Sequence, residues 1–181
     1  MVSAKMEEAL NAQVNKEMYS AYLYMSMSAF AESMGYKGIA TWFMVQYHEE
    51  MVHAMKIYEY IIRVGKKVVL NTIEQPPSQF DSVQDMFRNA LKHEQYITES
   101  INNLVDLAIS EKDHATKIFL DWYVTEQVEE EESVNDILQK LDLIGENGNA
   151  LYMLNKEIGA RTVNVALDYS RGVENGSQGG A

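Results

Sequence analysis

The sequence predicts an all-α protein: a four-helix bundle with a long crossover between helices two and three, plus a short fifth helix. Three observations point to this class. The chain has two Pro and no Cys among 181 residues, and 46% of them are hydrophobic, a composition that suits long uninterrupted helices. Apolar residues recur with a period near 3.6 in five segments. One long Pro-containing link stands among otherwise short ones.

The first two helices form a predicted hairpin. The first covers roughly 4–33, is broken by Gly35 and Gly38, and has a stripe of apolar or small residues at Leu10, Val14, Ala21, Tyr24 and Ser28. The second covers roughly 38–65, is stopped by Gly65, and has a stripe at Phe43, Ile57, Ile61 and Val64.

The link over 66–81 contains Pro76-Pro77, which excludes a helix there. Its 16 residues can span at most about 50 Å, whereas a helix of this chain is about 40 Å long. The link can therefore run the length of the bundle and make the second and third helices parallel, one of the known four-helix topologies.

Capping signals place the remaining helices. Asp81, with Gln84 three residues later, predicts a capping box for a third helix over roughly 82–110. Asp113 is the predicted N-cap of a fourth over roughly 114–143. A fifth follows over about 149–165. We expect one domain over 1–166 and a flexible glycine-rich tail over 167–181.

Composition excludes several functions. The net charge of −12 argues against a nucleic-acid partner, which needs clustered Lys and Arg, and permits attraction of cations. There is no apolar run of 18 residues, so no membrane-spanning helix is expected. The N-terminus lacks a signal-peptide core, and the absence of Cys fits a cytoplasmic protein.

Ionisable residues interrupt each apolar stripe near the middle of its helix. The segment HEEMVHAMK (48–56) misses the zinc-protease pattern by one residue, because position 52 is Val. It does contain Glu50-x-x-His53, an i, i+3 pair on one face. The other interruptions are Glu17, Glu94, Gln127 and Glu130. Stacked side by side, the four acids of the four helices fall at one level.

Four buried carboxylates at one level need neutralisation, because each is costly to desolvate and they repel one another. Protons can supply it, but a divalent metal pair does so at neutral pH. Carboxylate oxygens with one imidazole suit iron or manganese better than copper. A carboxylate that bridges two irons holds both where one O₂ can take an electron from each. The known di-metal pattern of such bundles has two single acids and two Glu-x-x-His motifs. This chain has the single acids Glu17 and Glu94 and one such motif, and the second is altered to Gln127-x-x-Glu130.

The segments NKEMYSAYLYMSM, WFMVQYHEEMVHAMKIYEYI, QPPSQFDS, LKHEQYITESI and FLDWYVTEQVEEEE resemble, in order, those of a non-haem bacterial or archaeal ferritin. The resemblance covers roughly 4–165. It implies a ferritin-like subunit that assembles into a hollow cage of twenty-four copies. It also implies ferroxidase activity that takes Fe²⁺ and O₂ or H₂O₂ and deposits ferric mineral inside.

The resemblance also assigns site residues. Glu17, Glu50 and His53 hold one iron with Glu50 bridging, and Glu94 and Glu130 hold the second with Gln127 beside them. Prokaryotic ferritins resemble one another in a third iron site near this pair. Glu49, Glu126 and Glu129 match its ligands, and Glu130 is shared between this site and the pair. Tyr24 matches the family tyrosine that hydrogen-bonds a bridging Glu or supplies an electron. His48, His93 and His114 are expected to be surface or packing residues.

Haem is not expected. Haem-containing bacterioferritins carry a second Glu-x-x-His on the fourth helix and a haem-ligating Met after the bridging Glu. Met51 follows Glu50 here, but Gln127-x-x-Glu130 departs from the pattern.

Other classes of function remain as alternatives. The short chain argues against a di-iron oxygenase with an organic substrate. A helical interaction protein would leave the buried acids unexplained. The charge of −12, the fifth helix and the placement of ligands within one bundle disfavour a DNA-protecting mini-ferritin.

Overall fold

The computed structural model describes residues 2–163, and five α-helices contain most of them. The helices are α1 (Ala4–Ser33), α2 (Lys37–Arg63), α3 (Val83–Ser110), α4 (His114–Ile144) and α5 (Gly148–Ile158). Residues 2–163 contain no β-strand. The predicted fold class is confirmed. The predicted domain end at 166 and the tail over 167–181 lie outside the described residues.

Local signals in the sequence set the ends of α1 and α2. The Ser3 side chain accepts a hydrogen bond from the Met6 backbone N–H at 3.0 Å and caps α1. Beyond α1, Gly35 has φ +83°, and beyond α2, Gly65 has φ +74°. Both angles lie in the left-handed region where glycine costs least, so the predicted stops at Gly35 and Gly65 are confirmed. The predicted break at Gly38 is wrong, because Gly38 lies in the first turn of α2.

The link between α2 and α3 runs the length of the bundle beside α1. Near the start of α1, Asn11 Nδ2 donates to Lys67 O at 3.0 Å and Asn11 Oδ1 accepts from Val69 N at 2.7 Å. Near its end, Ser26 Oγ donates to Pro77 O at 2.8 Å. The link therefore starts at one end of the bundle and finishes at the other. As predicted, α2 and α3 are parallel, whereas α1 with α2 and α3 with α4 form antiparallel pairs.

Two predicted details are wrong. The N-cap of α3 is Ser82, whose side chain accepts from Asp85 N at 3.0 Å, so the cap lies one residue after Asp81. Gln84 instead hydrogen-bonds Asp142 on α4. Helix α5 ends at Ile158 rather than near 165, and Gly159, which follows it, packs against Gly38 of α2.

The apolar core consists of two clusters of buried residues, and the predicted stripes supply most of each. One cluster includes Tyr24, Phe43, Phe87 and Val134. The other includes Leu10, Ile57, Ile101 and Leu120. A layer of buried polar side chains lies between them, halfway along the bundle. In the part of the chain that the structure describes, no helix is long and apolar enough to cross a membrane.

Candidate metal centre

The four helices of the bundle each place one carboxylate in the polar layer. The exposed fractions are 1% for Glu17, 1% for Glu50, 0% for Glu94 and 4% for Glu130. Each acid occupies a core position of its helix because the apolar residues before and after it, at helical spacing, face the core. The predicted burial of the four acids is confirmed.

Two groups of side chains bring possible ligand atoms within 4.8 Å of one another, and they share one histidine. The first consists of Glu17, Glu50 and His53, all buried. Within it, His53 Nδ1 lies 3.3 Å from Glu50 Oε2. The second consists of His53, Glu126 and Glu130, and His53 Nε2 lies 3.7 Å from Glu126 Oε1. The sequence did not place Glu126 beside His53.

Hydrogen bonds from two side chains fix the Glu94 carboxylate. The Tyr24 hydroxyl donates to Glu94 Oε1. Gln127 Nε2 donates to Glu94 Oε2 at 3.2 Å and also to the Glu94 carbonyl at 3.3 Å. Tyr24 and Gln127 are themselves buried. Both residues therefore orient the acid of α3. Gln127 was predicted to lie beside this acid, whereas Tyr24 was predicted to hydrogen-bond the bridging Glu50 and instead donates to Glu94.

Burial and mutual repulsion favour the protonated forms of these acids. Burial raises the pKa of Glu94 to about 8, and the Glu130 carboxylate adds to the effect. Burial likewise raises the pKa of Glu17 and raises that of Glu50 well above its usual value. For His53, burial favours the neutral ring, but Glu50 and other neighbouring carboxylates outweigh burial and raise its pKa well above the usual range.

These residues fit a divalent cation. Glu17 Oε2 is buried and has no hydrogen-bond partner. This state is costly for a carboxylate oxygen unless a cation binds it. Most of the possible ligand atoms are carboxylate oxygens and the others are imidazole nitrogens, which suit iron or manganese. Bound cations would replace protons as the neutralising charge.

The three acids that the predicted third iron site adds to Glu130 lie in different environments. Glu49 is half-buried, and its Oε2 accepts a hydrogen bond from Arg161 Nη2 at 2.6 Å. Glu126 lies beside His53, and its interaction with that ring lowers the pKa of Glu126. Glu129 is exposed. The structure thus brings Glu126 to the centre, joins Glu49 to an arginine and leaves Glu129 in solvent.

Three residues that contact the centre were not predicted from the sequence. Gln13 Nε2 donates to Glu17 Oε1 at 2.8 Å, and Gln46 Nε2 donates to Glu130 Oε2 at 2.6 Å. Both glutamines lie at core positions, so a search for amides on the apolar stripes would have found them. Arg161 follows α5, and no periodic pattern points to it.

The remaining histidines differ in environment. His93 is largely buried, its Nε2 lies 2.7 Å from Ser20 Oγ, and burial lowers its pKa to about 4. His48 is partly buried against Tyr47, and His114 is exposed at the start of α4. None of the three belongs to the ligand groups found in the described residues. This agrees with the predicted packing and surface roles.

The fold and the centre together define a class of protein: a four-helix bundle with a carboxylate-rich metal centre at its midpoint. Within that class, the chain belongs to the ferritin family, because the family's ferritin-like domain model matches residues 7–144. The resemblance noted in the sequence is confirmed.

Individual relatives agree with this assignment. The chain is 39% identical over 164 residues to a bacterial non-heme ferritin of Staphylococcus epidermidis, covering 91% of this chain and 99% of that one. It is 40% identical over 162 residues to the bacterial non-heme ferritin of Staphylococcus aureus strain USA300, covering 90% and 98%.

Solved structures give the same result. A structure described as a novel open pore ferritin from the hyperthermophilic archaeon Archaeoglobus fulgidus has a TM-score of 0.89 and 49% identity, covering 90% of this chain and 100% of that one. A closed form of that ferritin, engineered by site-directed mutagenesis, has a TM-score of 0.88 and 49% identity, covering 90% and 99%.

Proposed function

We propose that this chain stores iron and is a ferroxidase, which oxidises Fe(II) at the buried centre and passes Fe(III) to a mineral inside a hollow cage. One observation carries the proposal: four helices place four carboxylates and His53 in a single buried layer. Such a layer is stable only when its charge is neutralised, by protons in the metal-free protein or by bound divalent cations.

Each ligand has a proposed role. Glu17, Glu50 and His53 hold one iron, Glu94 and Glu130 hold the other, and Glu50 bridges the two. Tyr24 and Gln127 keep the Glu94 carboxylate in place through the hydrogen bonds described above. Positioning of this kind lets both irons bind without rearrangement of the ligands.

The chemistry balances with O₂ as the oxidant. Each Fe(II) gives up one electron, and the net reaction to mineral is 4 Fe²⁺ + O₂ + 6 H₂O → 4 FeOOH + 8 H⁺. H₂O₂ is a second oxidant that can accept two electrons. The acids at the centre bind protons tightly when no metal is present, so binding of Fe(II) releases protons before oxidation begins.

The assembled state follows from the family. We propose a cage of twenty-four copies that works in the cytoplasm without haem, nucleic acid or membrane as a partner. The matched archaeal relative is described as an open pore ferritin, of which a closed form was obtained by engineering, and this supports an assembly with pores for this chain.

Anaerobic loading of the apoprotein with Fe(II), followed by rapid mixing with O₂ and absorbance recording, tests the function. A fast phase that saturates at about two irons per chain, with slow mineral growth at higher loading, is the expected result. A fast phase without further uptake would indicate a di-iron enzyme that acts on an organic substrate. The absence of a fast phase would refute a ferroxidase role for these acids.

A further inference from the structure

Arg161 connects the segment after α5 to the edge of the metal centre. Its guanidinium lies over the Trp42 ring, with Cζ 5.1 Å from the ring centroid. Trp42 belongs to the apolar core and is 3% exposed. A buried aromatic surface on one side and two acceptors on the other therefore hold this side chain.

The two acceptors belong to neighbouring turns of α2. Arg161 Nη2 donates to Glu49 Oε2 at 2.6 Å, and Arg161 Nη1 donates to the amide oxygen of Gln46. Gln46 is fully buried. One guanidinium thus donates hydrogen bonds to a carboxylate and to an amide at the same time, which the fixed planar arrangement of its N–H donors allows.

The contact with Gln46 determines which group that side chain presents to the centre. Because the amide oxygen accepts from Arg161, the amide nitrogen points the other way and donates to Glu130 Oε2 at 2.6 Å. An amide nitrogen cannot bind a cation, whereas an amide oxygen can. If Gln46 turned over, its oxygen would face Glu130 and its nitrogen would face the Arg161 position.

We propose that Arg161 is a positioning residue that keeps cation binding weak on the Glu49 side of the centre. It does so by pairing with Glu49 and by holding the Gln46 amide as a donor toward Glu130. This inference rests on the proposed ferroxidase function. It concerns the acids beside the iron pair, where Glu49 lies close enough to Glu130, Glu126 and His53 to interact electrostatically with them.

Weak binding at this place has a consequence for transport of the product. A cation that leaves the pair must displace the guanidinium from Glu49 to stop there. Since Arg161 competes for that carboxylate, ions pass this point rather than accumulate. Removal of Arg161 frees Glu49 and allows Gln46 to rotate, which creates a third cation site that retains its ion.

Anaerobic calorimetric titration of the assembled apoprotein with Zn²⁺, which does not undergo oxidation, tests the proposal. The unmodified chain should bind about two Zn²⁺ tightly and any further ion weakly. Arg161→Gln should bind the further ion tighter by roughly tenfold or more, the change expected when one charge-assisted hydrogen bond no longer competes. Lys156→Gln removes one positive charge from the exposed face of α5 and should match the unmodified chain.

Two further variants keep the test decisive. The double variant Glu49→Gln with Arg161→Gln should lose the gained ion, which a general loosening of the structure would not cause. Arg161→Lys keeps the positive charge but not the paired donors of the guanidinium, and should show a smaller gain in affinity for the further Zn²⁺ ion. If Arg161→Gln does not assemble, Arg161→Lys takes its place in the test. Unchanged Zn²⁺ binding in the Arg161 variants would overturn the proposal. Absence of the first two Zn²⁺ ions in the unmodified chain would instead refute the proposed centre.

Discussion

Glutamine side chains at two edges of the metal centre are oriented in the same way. Gln13 donates to Glu17, and its own amide oxygen accepts from Ser100 Oγ. Ser100 in turn accepts from Lys16 Nζ at 2.6 Å. At the other edge, Arg161 replaces the Ser and Lys pair. In both cases a cation from outside the centre determines which end of a buried amide faces a carboxylate.

Glu94 provides a direct test of the ligand assignment. Glu94→Ala removes one of the four aligned carboxylates, so the fast phase of Fe(II) oxidation should fall by at least about 100-fold. Assembly should remain intact, because the change also removes a buried carboxyl that is costly to ionise. Stopped-flow absorbance gives the rate and size-exclusion chromatography gives the assembly state.

Glu132→Gln is the matched control for this experiment. Glu132 lies in the same acidic run as Glu130 but is exposed, so its loss should leave the oxidation rate unchanged. Retained fast kinetics in Glu94→Ala would remove Glu94 from the centre.

The raised pKa of Glu94 predicts a pH dependence of stability. Below the ordinary pKa of 4.5, the carboxyl is protonated in both the folded and the unfolded chain. In that range it gives the free energy of unfolding no pH dependence. As the pH rises from 4.5 toward about 8, the unfolded chain loses this proton while the folded one keeps it. The free energy of unfolding of the metal-free protein should therefore fall over this range.

Urea unfolding of the apoprotein between about pH 5 and about pH 8 measures this effect. Glu94→Gln, which cannot ionise, should show a shallower fall than the unmodified chain. Excess Zn²⁺ should raise stability most at the upper end of the range, because it binds the deprotonated folded form. A midpoint for the metal-free chain that rises with pH would contradict the assigned burial of the acids.

At the level of secondary structure, the sequence predicts elements better than their ends. The helices follow from long apolar stripes, and the stops at Gly35 and Gly65 follow from backbone conformations that glycine adopts most easily. The cap of α3 was misplaced because Asp81 and Ser82 are adjacent and both residue types cap helices well. The choice between them depends on the geometry of the incoming chain.

The same distinction holds for the candidate site. Acids that interrupt an apolar stripe can be recognised from the sequence, and Glu17, Glu50, Glu94 and Glu130 were found in this way. Arg161 could not be, because its contacts depend on where α5 packs. Helix spacing gives the face on which a residue lies but not which distant segment reaches it.

The contact between α5 and α2 depends on two glycines. A Cβ at position 38 would lie 1.7 Å from the backbone oxygen of Asn155, and one at position 159 would lie 2.5 Å from the Gly38 Cα. Asn155 Oδ1 also accepts from Ile39 N at 3.0 Å. The two backbones are thus as close as glycine permits.

Gly38→Ala should displace α5 from α2 and destabilise the chain by about 1–3 kcal/mol, as overpacking of a close contact does. Thermal unfolding followed by circular dichroism measures the change. Gly148→Ala, in the first turn of α5, is the control, because a Cβ there meets nothing within 4 Å. Equal melting temperatures for the two variants would show that the close approach is not required.

At the level of the whole molecule, the far end of α4 and one face of α5 leave large apolar side chains in solvent. Leu143 is 88% exposed, Tyr152 66% and Met153 62%. Isolated soluble chains seldom expose several large apolar side chains together. An apolar surface of this kind is typical of contact with other copies of the chain. In a closed symmetric assembly, each contact of this kind recurs in every subunit.

Met153→Glu should therefore weaken the cage without unfolding the subunit. A buried Met stabilises a contact by about 1.5–3 kcal/mol, and a carboxylate placed there adds a desolvation cost; both effects recur at every copy of the interface. Size-exclusion chromatography should show a shift from hundreds of kilodaltons toward small oligomers, with helix content unchanged by circular dichroism. Lys92→Glu, which places the same carboxylate at an exposed position of α3, should assemble normally. An intact cage in Met153→Glu would mean that this face of α5 does not contribute to assembly.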